Sequence, residues 1–266
     1  MNRSGLVLAF AVATAVGLVF AAWPEFDLEI SRLFLHPGTK EFKFSHDPRL
    51  GHLRDIAMWI VGALAAPAVI TLVAKLLLPR RRLAMSGRAA VFLLTTLALA
   101  PGLMANVILK DHYGRPRPID VRDLGGTEPF LPWWDPRGDC RKNCSFVAGE
   151  GSGAFWTLAP AALAPPPLRP FAYAAALGFG SAVGLLRIAF GGHFFTDVVF
   201  AGIFTFLIIW CVHGLLYRWP SAGMTDAAIE GVLERLTTPA QAAAQVARGL
   251  VARARRSDQR PSGGTG

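Results

Sequence analysis

The sequence predicts an all-α, polytopic integral membrane protein: a six-transmembrane-helix bundle with charged residues gathered at one end. Three observations carry this. The 266 residues are 53% hydrophobic and their mean hydropathy is +0.40, too apolar for an ordinary soluble domain. The apolar residues fall in separate runs of membrane-entering length. Polar groups stand between the runs, several of them where a run ends.

The first run, residues 5–22, follows Arg3 and resembles a signal peptide. No small-x-small cleavage site precedes Trp23-Pro24, so it reads as a retained span. Residues 23–54 are polar and aromatic, and Pro24, Pro37 and Pro48 should break any long helix there. Ile56 to Leu78 is the second span, followed by a basic loop of Arg80, Arg81, Arg82 and Arg88. Ala89 to Leu109 is the third, and a polar stretch then runs to Ser152. Gly153 to Ala164 is a short fourth span, ended by Pro165-Pro166-Pro167. Phe171 to Leu186 and Thr196 to Leu216 are the fifth and sixth. The chain thus divides into 1–55, a first span with its outer loop; 56–216, a core of five spans; and 217–266, a basic tail.

The dense Arg80–Arg88 loop belongs in the cytoplasm by the positive-inside rule, with Arg3, Arg169 and the tail. Segments 23–54, 109–152 and 187–195 then face outward, in a bacterium into the periplasm from the inner membrane. The formal charge of +9 suits an anionic lipid, an anionic substrate or nucleic acid. Interleaving with apolar spans leaves no separate basic domain to bind nucleic acid. In the tail, Ile229, Val232, Leu233 and Leu236 follow helical spacing, and Thr238-Pro239 can open a second helix carrying Arg248, Arg253, Arg255 and Arg256. That segment either lies on an anionic membrane surface or is a solvated tail. The three cysteines have no metal-ligand spacing. Cys140 and Cys144 share one polar loop and either pair in an oxidising compartment or stay as free thiols. Oligomeric state is left open.

Three groups at span ends can carry chemistry. The first is Arg187 to Asp197, where an arginine, a histidine and an aspartate at the mouth of an apolar helix are costly unless used. His193 and Asp197 are four residues apart, so on a helix the carboxylate can hold the imidazole. Gly191-Gly192 lets the backbone turn so that Arg187 faces the same point, which suggests a phosphate held for attack by His193. The second is Lys110 to Pro118, where a mobile ammonium and planar guanidinium forks suit several phosphate oxygens. Interfacial anchoring is the ordinary alternative for these cations. The third is Cys144 to Gly153, where small residues at a helix start admit an anion close to backbone N–H groups. Glu150 within it is either chemical or a helix N-terminal acid.

Lys110, Arg117 and Pro118 fit Lys-x6-Arg-Pro, and Arg187, His193 and Asp197 fit Arg-x5-His-x3-Asp. Together, in this order, they resemble the type 2 phosphatidic acid phosphatase superfamily across residues 56–216. Two positions depart from its pattern. Its middle Pro-Ser-Gly-His is Val147-Ala148-Gly149-Glu150 here, and the serine usual before its arginine is Leu186. The stretch Asn143 to Glu150 looks like a bacterial subgroup that includes lipid A phosphatases. The resemblance implies metal-free, cofactor-free hydrolysis of a lipid-linked phosphate in two steps. His193 would be the nucleophile, Asp197 its orienter, and Lys110, Arg117, Arg187 and Gly149 the phosphate cradle. Glu150 would replace the usual general-acid histidine, and His112 matches no motif position. Lipid A, undecaprenyl pyrophosphate, phosphatidic acid and phosphatidylglycerol phosphate are the substrates it suggests. A non-catalytic lipid-phosphate carrier and a lipid phosphotransferase are the rival readings.

Overall fold

The computed structural model describes residues 3–78, 85–219, 225–232 and 235. Among them the chain is helical, with two isolated bridges, Leu35 with Phe42 and Val121 with Glu128, and no strand. Helix α1 (Arg3–Ala22) leads through Trp23 into a short α2 (Glu25–Arg32). Next come α3 (Pro48–Leu77) and α4 (Gly87–Leu97), the latter continued by a π-helix (Ala98–Leu109) and α5 (Lys110–His112). After a long polar loop follow α6 (Gly149–Phe155), α7 (Leu158–Leu163), α8 (Arg169–Ala189) and α9 (Phe195–His213) with a π-turn (Gly214–Arg218).

Among the described residues five helices are long and apolar enough to cross a membrane, against six expected. The difference is the fourth, which is broken in two. Pro160 has no N–H to give the Trp156 carbonyl, which instead takes Ala159 N–H at 2.8 Å, and Thr157 Oγ1 turns back to the Ala154 carbonyl at 2.7 Å. At ~1.5 Å per residue α6 and α7 together reach only about 22 Å, less than the ~30 Å apolar thickness of a bilayer. They are buried almost throughout, wrapped by the longer helices. The same chemistry widens the third span: Pro101 cannot donate to Leu97, and the backbone runs as π-helix from Ala98 to the edge of the charged loop. Buried hydroxyls join these irregular pieces. Trp156 Nε1 donates to Thr96 Oγ1 at 3.0 Å, and Ser152 and Thr205 share a hydrogen bond of 2.7 Å.

Pro48 begins a helix where a break was expected. It occupies the first turn of α3, where a missing N–H costs nothing, and Asp47 caps that turn by accepting from Arg49 and Leu50. Cys140 and Cys144 are joined as a disulfide, which resolves the choice left by their spacing. At the opposite end of the bundle the start of the tail folds back. Ile229 packs on the core, Glu230 meets the buried Lys75 at 3.0 Å, and Asp226 accepts from Ser86 at 3.3 Å. Arg80 to Arg82, Leu233, Leu236 and the basic stretch from Thr238 lie outside the described residues. Arg88 stacks over the Tyr217 ring at 4.1 Å.

Candidate active site

The loop ends and helix starts at one end of the bundle converge on His193. The residue lies just before α9, 1% exposed, and not on the helix itself. Its Nδ1 is 2.7 Å from the Ser145 carbonyl, which can only accept, so Nδ1 carries the proton and Nε2 keeps its lone pair. Burial, then the charges of Arg187, Lys110 and Arg117, hold the imidazole well below its usual pKa, while the Ser145 carbonyl works the other way. The ring is therefore neutral at neutral pH.

Asp197 does not orient the imidazole directly, as its spacing suggested. Its Oδ2 stands 3.9 Å from Nδ1, beyond hydrogen-bonding reach. The carboxylate accepts instead from Ser145 Oγ at 2.5 Å, from the Phe194 N–H at 2.8 Å and from Arg115 Nη1 at 2.6 Å. The Phe194 contact caps α9, and the Ser145 contact fixes the residue whose carbonyl holds the histidine. Asp197 therefore positions His193 through Ser145.

Arg115 is the residue that motif reading missed. It is fully buried between two carboxylates, with Nη2 on Asp27 Oδ2 at 2.8 Å and Nη1 on Asp197 Oδ1 at 2.6 Å. Nη1 also meets Thr196 Oγ1 and Nε meets the Leu131 carbonyl, both at 2.9 Å, while the guanidinium lies over the Phe194 ring at 4.2 Å. Burial opposes its charge, but Asp197 and Asp27 outweigh it and raise its pKa. Asp27, from α2, also accepts from the Thr196 N–H at 3.1 Å and Thr196 Oγ1 at 2.5 Å. The segment between α1 and α3 is thereby tied to the start of α9.

The cations expected to hold phosphate are brought together, partly through Asn143. Lys110 Nζ donates to Asn143 Oδ1 at 3.0 Å, and Arg117 Nε and Nη2 donate to the Asn143 carbonyl at 3.0 and 2.8 Å. Asn143 sits at φ 55°, a conformation asparagine tolerates better than most side chains. Gly149 lets this group close: a Cβ there would lie 2.4 Å from Asn106 Oδ1 and 3.3 Å from Lys110 Cε. Gly192 does the same for Arg187, whose Nη2 would be 2.6 Å from an added Cβ. Arg187 Nε faces Glu150 Oε2 at 3.2 Å, so the carboxylate of the middle motif is an ion-pair partner of the arginine. His112 turns back on its own helix, its Nδ1 3.1 Å from the carbonyls of Val107 and Ile108.

A neutral histidine beside three cations, at the mouth of a helical membrane bundle, defines a multi-pass membrane phosphatase. The model of the PAP2 superfamily matches residues 89–221, and the chain belongs to that superfamily. It is 33% identical over 219 residues to the lipid A 4'-phosphatase of Francisella tularensis subsp. novicida, covering 82% of this chain and 98% of that one. It is 42% identical over 110 residues to the lipid A 4'-phosphatase of Rhizobium leguminosarum, covering 40% of this chain and 46% of the other. A lipid A 4'-phosphatase of Rhizobium etli is 36% identical over 105 residues, with 40% and 41% covered. No solved structure matches.

Proposed function

We propose that the chain removes a phosphate monoester from lipid A, at the outer face of the inner membrane, through a phosphohistidine on His193. The observation that carries the reading is the fixed tautomer: the Ser145 carbonyl accepts from Nδ1–H and leaves the Nε2 lone pair for phosphorus. In the first step the Nε2 lone pair forms the P–N bond as the P–O bond to the lipid breaks. Lys110, Arg117 and Arg187 hold the non-bridging oxygens as charge redistributes. A monoprotonated lipid phosphate displaces Glu150 from Arg187 by competing for the guanidinium and passes it a proton, which Glu150 gives to the leaving alkoxide. The ring, now cationic, is balanced by Asp197 behind Ser145. In the second step water attacks phosphorus, gives its proton to Glu150 and returns His193 to neutrality. Residues 56–216 serve as the phosphatase core, and the tail, 217–266, serves as a basic membrane-surface segment.

The names of the relatives support lipid A among the lipid phosphates. Purified protein offered lipid A, undecaprenyl pyrophosphate, phosphatidic acid and phosphatidylglycerol phosphate should release inorganic phosphate fastest, by kcat/KM, from lipid A. Binding without release would make it a carrier, and label moving into a second lipid would make it a transferase. For orientation, an impermeant thiol reagent applied to intact cells after mild reduction should reach Cys140 and Cys144. Labelling only after the inner membrane is broken would put the site in the cytoplasm.

A further inference from the structure

Beside the phosphate cradle, on the same outer face, lies a second polar cavity of about 370 Å³ that the chemistry above does not use. Its charged lining is Lys40, Lys43, Glu41, His36 and His46. Two lysines outnumber one carboxylate, and the two imidazoles add donors. Lys43 Nζ makes only a long contact of 3.4 Å to the Leu33 carbonyl. Among the described residues no hydrogen bond or ion pair engages the side chains of Lys40, His36 or His46. These donors are therefore available to a ligand.

The cavity is built into the fold. The Leu35–Phe42 bridge closes its loop, with His36 N–H on the Glu41 carbonyl at 2.8 Å. Phe42, 4% exposed, anchors that loop in a cluster with Val121, Leu124 and Phe194, the residue after the nucleophile. Its ring would lie 2.6 Å from a Cβ added at Gly191, and the Ile119 N–H donates to the Gly191 carbonyl at 3.0 Å. Phe42 and Ile119 both line the cavity. Gly191 stands two residues before His193, and Ile119 two residues after Arg117. Phe42 and Ile119 thus connect the cavity to Gly191, two residues before His193.

We propose that this cavity is a second anion subsite, which takes a further phosphate of the same headgroup while the first lies on His193. Glu41 in its lining can accept from sugar hydroxyls but not from phosphate oxygens, so the ligand we assign is a phosphorylated sugar, not an isolated inorganic anion. This rests on the lipid A reading and narrows it: the preferred substrate carries two phosphates on a sugar headgroup.

The test compares lipid A bearing both phosphates with the same lipid lacking the phosphate that is not removed. In the unaltered protein kcat/KM should favour the doubly phosphorylated lipid, and Lys40→Gln/Lys43→Gln should lower that preference about three- to tenfold, the range of two partly exposed charge contacts. Turnover of the singly phosphorylated lipid reports that the variant is folded. Equal preference before and after substitution would overturn the subsite. Binding of the doubly phosphorylated lipid is also measured in a His193→Ala background, where Lys40→Gln/Lys43→Gln should weaken Kd by a similar factor. That arm separates the two ideas. Absence of hydrolysis from every lipid, with the lysine effect on Kd retained, would sink the phosphatase reading alone; an unchanged Kd would sink the subsite.

Discussion

A buried imidazole flanked by cations titrates below its usual range, which gives His193 a distinctive pH behaviour. Above the unfolded value of 6.5 the ring is neutral in both folded and unfolded chain, and it contributes nothing to the pH dependence of stability. As pH falls below 6.5 the unfolded chain takes a proton that the folded site refuses, so stability falls. The imidazole NMR signal lost in His193→Gln should therefore show the neutral, Nδ1-protonated form at pH 6.5, titrating only at lower pH. A midpoint at or above 6.5 would contradict this electrostatic picture. Glu150 is tested through its leaving group. Glu150→Gln keeps the shape and removes the acid, so hydrolysis of an alkyl lipid phosphate should drop about 10²–10⁴-fold. A nitrophenyl phosphate, whose leaving group departs with little help, should lose far less. Equal losses on both substrates would assign Glu150 to holding Arg187 rather than to proton transfer.

At the scale of elements, the turn between α8 and α9 sets where Arg187 points. Gly192→Ala places a Cβ 2.6 Å from Nη2, and the guanidinium can move away without disturbing backbone. We expect kcat/KM to fall about 10–100-fold, as a displaced charge clamp would cause, with the thermal midpoint nearly unchanged. Unchanged kcat/KM would show that Arg187 is not the clamp. The long helices were legible because apolar runs bounded by prolines and charges need no tertiary information. Lys110, Arg117, Arg187 and His193 were legible because their spacing is local. Arg115 was not: its partners Asp27 and Asp197 are 88 and 82 residues away. Ser145 and Asn143 were hidden for a related reason, since each acts partly through its backbone carbonyl, which any residue type possesses, and partly through side-chain contacts to distant residues. The broken fourth helix had a signal in Pro160, four residues after Trp156, overlooked beside the more obvious Pro165-Pro166-Pro167.

At the scale of the whole molecule, the buried cation of Arg115 fastens α2, the long polar loop and the start of α9 together. Removing it leaves Asp27 and Asp197 buried without a counter-charge. Arg115→Ala should therefore cost about 3–5 kcal/mol, and Arg115→Lys should recover only part, because an ammonium cannot fork across both carboxylates. Unfolding of the purified protein in detergent measures both, and a near-neutral Arg115→Ala would show that the segments are held otherwise. The central claim is that this assembly exists to present the Nε2 of His193 to a lipid phosphate. Its most direct measurement is to quench turnover of ³²P-labelled lipid A on the purified protein and follow the protein-bound label. We predict an acid-labile, base-stable phosphate that maps to His193, is absent from His193→Ala and decays at the rate of turnover. Hydrolysis by His193→Ala at near-normal rate, or label held at any other residue, would contradict it.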